Sequence, residues 1–388
     1  MIIGLKNELL WFTKRVIVRF LTKNPFKIKP FNNFLQNKLG VPIDISENIP
    51  YVILNEPGLE IKYVPPYFYN EDRRIENYVD NQLRFRYNGL FKAPDRLIYH
   101  IQNAFIIGQI GLVYDQPTRT FIEESGKEWI KPLKKSVYLN MLTPPPIKHL
   151  DGLTISFLTN GADGGFYHFL FESIVKESLF KDLQIADHYL FNGPPTNWKL
   201  KWLDLTAIDQ SKIIWVDNKS HFKCTHLEFT NRVVNDQQLS TWTIEAIKKL
   251  IPNQVADTKK SNQILWISRK RSPLRNIIWE DQLLSLFPNI IKVDFESMDI
   301  DSTITMMRSA SHVISPHGAA LSNIFLCNEH TKILELYPDN EGYKPCYARL
   351  SSICRLEHQI AFINFSNEKD ENNGFDFLTK TVSNFIKN

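Results

Sequence analysis

The chain has 388 residues, 43% of them apolar and 23% charged, with a formal net charge of +4 and four cysteines. That length exceeds one comfortable core and fits two compact units plus an appendage, at roughly 100 to 200 residues per domain, and the ordinary composition excludes a disordered chain or a polytopic membrane protein. The mild charge implies no nucleic-acid partner. Cys224, Cys327, Cys346 and Cys354 form no CxxC pair or Cys/His cluster, which favours a reducing, cytoplasmic setting over a disulfide framework.

Near the N-terminus, Lys6, Glu8, Lys14, Arg15 and Arg19 interrupt the apolar residues, so neither a signal peptide nor a spanning helix is expected. Ile2, Leu5, Leu9, Phe12, Val16 and Phe20 recur at helical spacing, with basic residues between them and on through Lys23, Lys27 and Lys29. Such a helix suits docking on the protein's own body or peripheral contact with the inner face of a membrane. From Pro25 to about Pro146 the sequence is rich in proline, asparagine and aromatics and reads as irregular with short strands. Its clearest part, Ala104 to Glu123, reads as a small hairpin sheet, and Pro144-Pro145-Pro146 stiffens a boundary.

A strand over Leu153 to Leu158, a glycine-rich loop to Gly165 and a helix over Phe166 to about Phe180 then open a Rossmann-like unit. Tyr189 to Phe191 and Ile213 to Val216 keep its alternating character, and Thr241 to Ile251 reads as a helix. After the polar linker Asn253 to Asn262 the alternation restarts. Strands are expected over Ile264 to Ser268, Ile290 to Asp294, His312 to Ser315 and Lys332 to Tyr337. Helices are expected near 279–287, 300–310, from Ala319, and near 345–354. Phe375, Leu378, Val382, Phe385 and Ile386 mark a terminal helix that could return to the first unit. The expected domains are an N-terminal region over 1–150, a first Rossmann-like (acceptor-side) domain over 151–257, a second over 258–364, and the helix over 365–388.

Ligands gather at the carboxyl ends of parallel strands, which singles out three loops. In the first, Ser315-Pro316-His317-Gly318-Ala319-Ala320 runs from a strand into a helix. Small residues there let backbone amides approach a ligand, and the helix start suits a diphosphate; tight helix-strand packing accounts for the same residues equally well. In the second, Arg269, Lys270, Arg271 and Arg275 follow a strand and could neutralise phosphate, or be solvated surface charges. In the third, His168 lies in a first helical turn, where the helix dipole keeps an imidazole neutral and fit to be a general base. Glu172, four residues on, or Asp163 in the loop could orient it; a structural histidine is the alternative. Asp299-Ile300-Asp301 has DxD spacing but precedes a helix, where capping is expected, so no metal site is assigned.

Together these residues resemble glycosyltransferase family 61. The resemblance spans roughly Ala104 to Pro338. It is carried by Ile107-Gly-Gln-Ile-Gly-Leu-Val-Tyr-Asp115, Phe166-Tyr-His-Phe-Leu-Phe-Glu172, Ile267-Ser-Arg269 with Arg275-Asn276, and His317-Gly-Ala-Ala-Leu-Ser-Asn-Ile-Phe325 followed by Leu334-Glu-Leu336. Asp163-Gly164-Gly165 and Ala320 depart from the usual pattern. The resemblance implies an α/β, GT-B-like fold with two Rossmann-like domains facing across a cleft. It also implies inverting transfer from a nucleotide-sugar donor, usually a UDP-sugar, to an oligosaccharide, lipid-linked or other glycan acceptor, as in capsular polysaccharide synthesis. Family positions fall on His168, Arg269, Arg275, His317, Gly318, Asn323 and Glu335. On this reading His168 is the base, with Glu172 and Asp163 beside it. Arg269, Arg275, His317, Gly318, Ala319, Asn323 and Glu335 hold the donor, Glu335 by accepting hydrogen bonds from the ribose, with an N-cap or a buried structural role as its equal alternatives, and no cofactor is called for. Rival readings are a pyruvyl-type transferase fed by phosphoenolpyruvate, and a non-catalytic nucleotide- or sugar-binding subunit of a glycan-assembly complex.

Overall fold

The computed structural model describes residues 27–29, 52–70, 90–115, 120–126, 136–138, 141, 144–181, 183–234, 237–252, 262–272, 274–365 and 371–387. The basic amphipathic segment expected over residues 2–20 and nearly all of the linker 253–262 lie outside them. The chain is mixed α/β and divides into two compact units, 1–58 with 94–235, and 59–93 with 236–388. Among the described residues no helix is long and apolar enough to cross a membrane.

The first unit is built on one sheet, of nine strands among the described residues. Its centre comprises β1 (Arg96–Ile107), β2 (Lys148–Ser156), β3 (His188–Asn192), β4 (Ile213–Val216) and β5 (His221–Thr230). β5 lies between β1 and β2, antiparallel to the former and parallel to the latter. β2, β3 and β4 follow in parallel, so the ends of β2, β3, β4 and β5 share one edge. The expected hairpin is present, pairing Phe105 with Tyr114 and Ile107 with Leu112. β5 has no counterpart in the sequence reading, and its register explains why. Phe222 and Cys224 face the core on even positions, but a bulge between Cys224 and His226 shifts the phase, and Leu227 and Phe229 face it on odd ones. A period-two count loses its signal across such a shift.

In the second unit a polar stretch gives way to helix α1 (Thr241–Leu250), started by a capping box between Ser240 and Thr243. The sheet comprises β6 (Gln263–Ile267), β7 (Ile290–Val293), β8 (Ala310–Pro316), β9 (Lys332–Pro338) and β10 (Glu357–Ile363), with α2 (Glu280–Leu286), α3 (Ile300–Ser309) and α4 (Cys346–Ile353) in the connections. These strands are parallel, in the order β7-β6-β8-β9-β10, and Tyr67–Phe68 adds a short parallel strand beside β10. The run Leu265, Trp266 and Ile267, with Val313, Ile314, Ile333, Leu334 and Leu336, is fully buried, as expected of parallel strands covered on both faces. β6 and β8 are neighbours, yet the chain goes from β6 to β7 before returning to β8. That order, 2-1-3-4-5, places a topological switch point between them, where ligands of open α/β sheets bind.

The terminal helix α5 (Glu371–Lys387) packs Leu378, Val382 and Phe385 against Trp266, Ile277 and Trp279 in the second unit. One helical expectation changes. The helix expected over 166–180 is a succession of pitches: an α turn at Phe166–His168, a wide π turn at Phe169–Ser173 and a 3-10 stretch at Ile174–Leu179. Ser173 Oγ donates to Phe157 O at 2.8 Å and Lys176 Nζ to Leu158 O at 2.8 Å, tying the irregular turns to the end of the strand segment before them.

Candidate active site

The chemistry-bearing residues form one cluster in each unit. In the first, β2 delivers the loop Thr159 to Gly165. Gly165 is required by close approach: a Cβ there would sit 2.6 Å from Gly161 O and 3.0 Å from the His168 ring. His168 follows, with Nδ1 2.8 Å from Glu172 Oε1, and Thr159 Oγ1 donates to Glu172 Oε2 at 3.4 Å. The His168 side chain keeps 12% exposure while Glu172 keeps 5%. With Glu172 accepting Nδ1–H, a neutral His168 ring presents Nε2 as its basic atom. Of the two acids considered for orienting it, Glu172 takes Nδ1. Asp163 Oδ2 instead accepts from Gln109 Nε2 at 3.4 Å, and its carbonyl accepts from Lys199.

Two buried lysines that the sequence reading passed over support this cluster. Lys199 donates to the carbonyls of Asp163, Asn192 and Pro194 at 2.8, 2.8 and 3.0 Å, joining the glycine-rich loop to the end of β3. Burial pushes its ammonium down to about 8, against the opposing pull of Asp163. Lys176 is lowered to about 7, first by burial, with Glu172 opposing and Arg232 reinforcing. A lysine flanked by apolar neighbours in sequence reads as an exposed interruption, and only the end of the adjacent strand shows what it bonds.

In the second unit the loops after β6 and β8 flank the switch point. The end of β6 is clamped by Glu280, which accepts from Trp266 Nε1 at 2.9 Å and Ser268 Oγ at 2.7 Å and pairs with Lys292 at 2.6 Å. Arg269 comes next. Its Nη2 donates to Ser272 Oγ at 2.8 Å, and its buried Nε–H has no partner among the described residues. The guanidinium lies against Gly318, where a Cβ would collide with it. Burial lowers the Arg269 pKa, with Tyr347, Arg275, Glu296 and Glu341 in electrostatic reach.

After β8, the His317 backbone N–H is held by Leu336 O at 2.8 Å, and a 3-10 helix, Ala319–Leu326, begins at Gly318. Ala319 and Ala320 are half-buried at its start, where the first N–H groups lack helical acceptors. Asn323 is buried and donates to Ala320 O at 3.0 Å, so it braces the turn. Arg275, in a left-handed conformation with φ 60°, forms a two-pronged pair with Glu341, Nε to Oε1 at 2.8 Å and Nη2 to Oε2 at 2.5 Å. Its fork is thus occupied by a carboxylate that the sequence reading did not pick out, and the pair holds the Arg269 loop to the loop after β9. Arg269, His317, Gly318 and the helix start converge, with Arg275 bracing them.

Glu335 is placed differently from a ribose ligand. It is fully buried on β9, its Oε1 bonded to His317 Nδ1 and its Oε2 3.0 Å from His358 Nε2. Burial alone would raise its carboxyl, but His317 and then His358 outweigh that and hold it at about 2. It stands behind His317. His358 lies on β10, a strand absent from the sequence reading although Ile360 to Ile363 form an apolar run. Asp299 caps α3, accepting from Ser302 N at 2.7 Å and Ser302 Oγ at 2.9 Å, as its position before the helix predicts.

Comparison with known proteins adds a family. No curated protein matches the chain. Among solved structures, the flavodiiron protein from Giardia intestinalis is similar at 14% identity and a TM-score of 0.22, over 43% of this chain and 45% of that one. The chain thus spans under half of that structure, a likeness too weak to carry an inference. The family model described as Glycosyltransferase 61 matches residues 166–334, a span that includes His168, Glu172, Arg269, Arg275, His317, Gly318, Ala319 and Asn323. Over this span, a little under half of its length, the chain is similar to glycosyltransferase family 61.

Proposed function

We propose that the protein is an inverting glycosyltransferase that moves a sugar from a nucleoside-diphosphate donor, a UDP-sugar, to a glycan acceptor in surface polysaccharide synthesis. The observation that carries this reading is the Arg269 guanidinium lying on Gly318, with an unsatisfied buried Nε–H, beside a helix start at a switch point. Cationic and N–H donors converging at such a point suit a diphosphate. In the reaction, His168 Nε2 takes the proton of an acceptor hydroxyl. The hydroxyl oxygen forms a bond to the anomeric carbon as that carbon's bond to the diphosphate oxygen breaks. The electron pair leaves with the diphosphate, and Arg269, His317 and the first N–H groups of the 3-10 helix stabilise the growing charge.

These cations take the part a divalent metal plays elsewhere, which the capping role of Asp299 supports. The reading includes the GT-B arrangement, with two Rossmann-like domains facing across a cleft. It also includes a cytoplasmic location with peripheral membrane contact through the N-terminal segment. Its test is a panel of nucleotide sugars scored by thermal stabilisation and by release of nucleotide. A UDP-sugar that raises Tm and is turned over supports it; stabilisation by phosphoenolpyruvate alone would replace it with a pyruvyl transfer.

A further inference from the structure

Behind His317 runs a buried hydrogen-bonded chain that extends past the family-matched segment. Ser351 Oγ, on α4, is 2.7 Å from His358 Nδ1; His358 Nε2 is 3.0 Å from Glu335 Oε2; and Glu335 Oε1 bonds His317 Nδ1. Ser351 and Glu335 are fully buried, and His317 and His358 nearly so. One carboxylate therefore serves two imidazoles in a setting where an uncompensated charge is costly.

The partners decide which ring carries the compensating proton. Where the Ser351 hydroxyl donates to His358 Nδ1, that ring is neutral, with its one N–H on Nε2 directed at Glu335; a hydroxyl accepting there would put the proton on His358 instead. Neutralising Glu335 then falls to His317, whose ring centroid is 4.4 Å from that of Tyr337 and 5.2 Å from that of Tyr347, aromatic company that accepts a cation. Glu341 also lies within electrostatic reach of His317 and adds negative potential, partly spent on Arg275. Arg269, against the adjacent Gly318, opposes the charge.

We propose that Ser351 and His358 are positioning residues that, acting through Glu335, hold His317 as an imidazolium whose Nε2–H is offered to the donor's diphosphate. The inference rests on the donor reading above for its ligand, but the charge pattern of the rings stands independently. An imidazolium donates a charge-assisted hydrogen bond to a phosphate oxygen, whereas a neutral ring with its proton on Nδ1 would turn a lone pair toward the anion.

The test uses the full chain labelled with nitrogen-15, read by long-range proton-nitrogen spectra of the histidine rings at pH 7, with UDP binding measured by calorimetry. The expected spectrum shows two protonated nitrogens for His317, and for His358 a protonated Nε2 beside a bare Nδ1. His358→Leu should convert His317 to a neutral ring and weaken UDP about tenfold, while His358→Gln, which keeps an N–H toward Glu335, should stay within about twofold of the parent. Ser351→Ala, a small change that spares the fold, should mix the two His358 tautomers and weaken UDP about threefold. A neutral His317 in the parent, or His317 signals unchanged in both His358→Leu and Ser351→Ala, overturns the proposal. If UDP does not bind the parent while the ring signatures appear and respond as described, the donor reading fails and the relay stands.

Discussion

The guanidinium of Arg269 occupies the space that a side chain on residue 318 would need. A strand end on one side of the switch point is thereby fitted to a turn on the other, and glycine is demanded by its neighbour: at φ 163°, ψ 173° the Gly318 backbone is extended and open to any residue.

Gly318→Ala should therefore move the guanidinium and leave the backbone in place. UDP affinity is expected to fall about tenfold with little change in Tm, because the displaced group is the end of a flexible side chain. Calorimetry beside a thermal melt checks this, and parent-like affinity would show that Arg269 does not contact the ligand from its position on Gly318.

Arg269→Lys keeps a positive charge and loses the planar fork. Because the proposed work is stabilisation of a leaving diphosphate, kcat should drop by about 100-fold or more. Steady-state kinetics with the donor found in the nucleotide-sugar panel decides it; a fall confined to KM would reduce Arg269 to ground-state binding.

For His168 and Glu172 the expectation concerns the acceptor step. His168→Ala should stop transfer while UDP binding persists. Glu172→Gln, which still accepts from Nδ1–H but carries no charge, should lower kcat by about tenfold to 100-fold with donor KM unchanged. Equal loss of donor binding in both variants would move this cluster out of the chemistry.

Much of this was legible in the sequence, for identifiable reasons. β6 is a continuous apolar run after Gln263, β8 and β9 carry the apolar pairs Val313-Ile314 and Ile333-Leu334, and the residues just past the ends of β6 and β8, Arg269, His317 and Gly318, are those that the topology brings together. What was not legible depends on tertiary partners. Glu341 is one carboxylate in a polar loop until Arg275 closes on it; Lys199 gains its role from three carbonyls that are scattered in the chain; and Glu335 reads as a ligand candidate until β10 supplies His358 to its second oxygen. β5 was hidden by the bulge at its middle. The pitch changes after His168 follow from bonds to Phe157 and Leu158, which local propensity does not encode.

Asp299→Ala tests cap against metal ligand. Loss of the two hydrogen bonds to Ser302 should cost about 1 kcal/mol of stability. Transferase activity, assayed with EDTA, should be the same for parent and variant; an abolished, manganese-restored activity in the parent would return Asp299 and Asp301 to consideration as ligands.

Lys176 gives a stability signature with a definite sign. Its folded value, about 7, lies below the 10.5 of an ordinary lysine, so between those values the unfolded chain holds a proton that the folded chain has shed. Stability from this group therefore rises with pH across that window, by on the order of 1 kcal/mol per pH unit. Denaturant titrations at pH 7, 8 and 9 should show the parent gaining on Lys176→Met by that increment. A constant difference would mean that Lys176 stays charged in the folded protein.

The order β7-β6-β8 also bears on how the protein would acquire the proposed anion site. Arg269 and Gly318 are supplied by strands that pair directly but are separated in the chain by two helical crossovers and all of β7. No local segment holds both halves, so the site comes into being only when β6 and β8 close against each other, a non-local step of the kind that slows folding. A nucleotide bound there discriminates strongly between native and unfinished chains, and would act as a thermodynamic clasp on the sheet it reads.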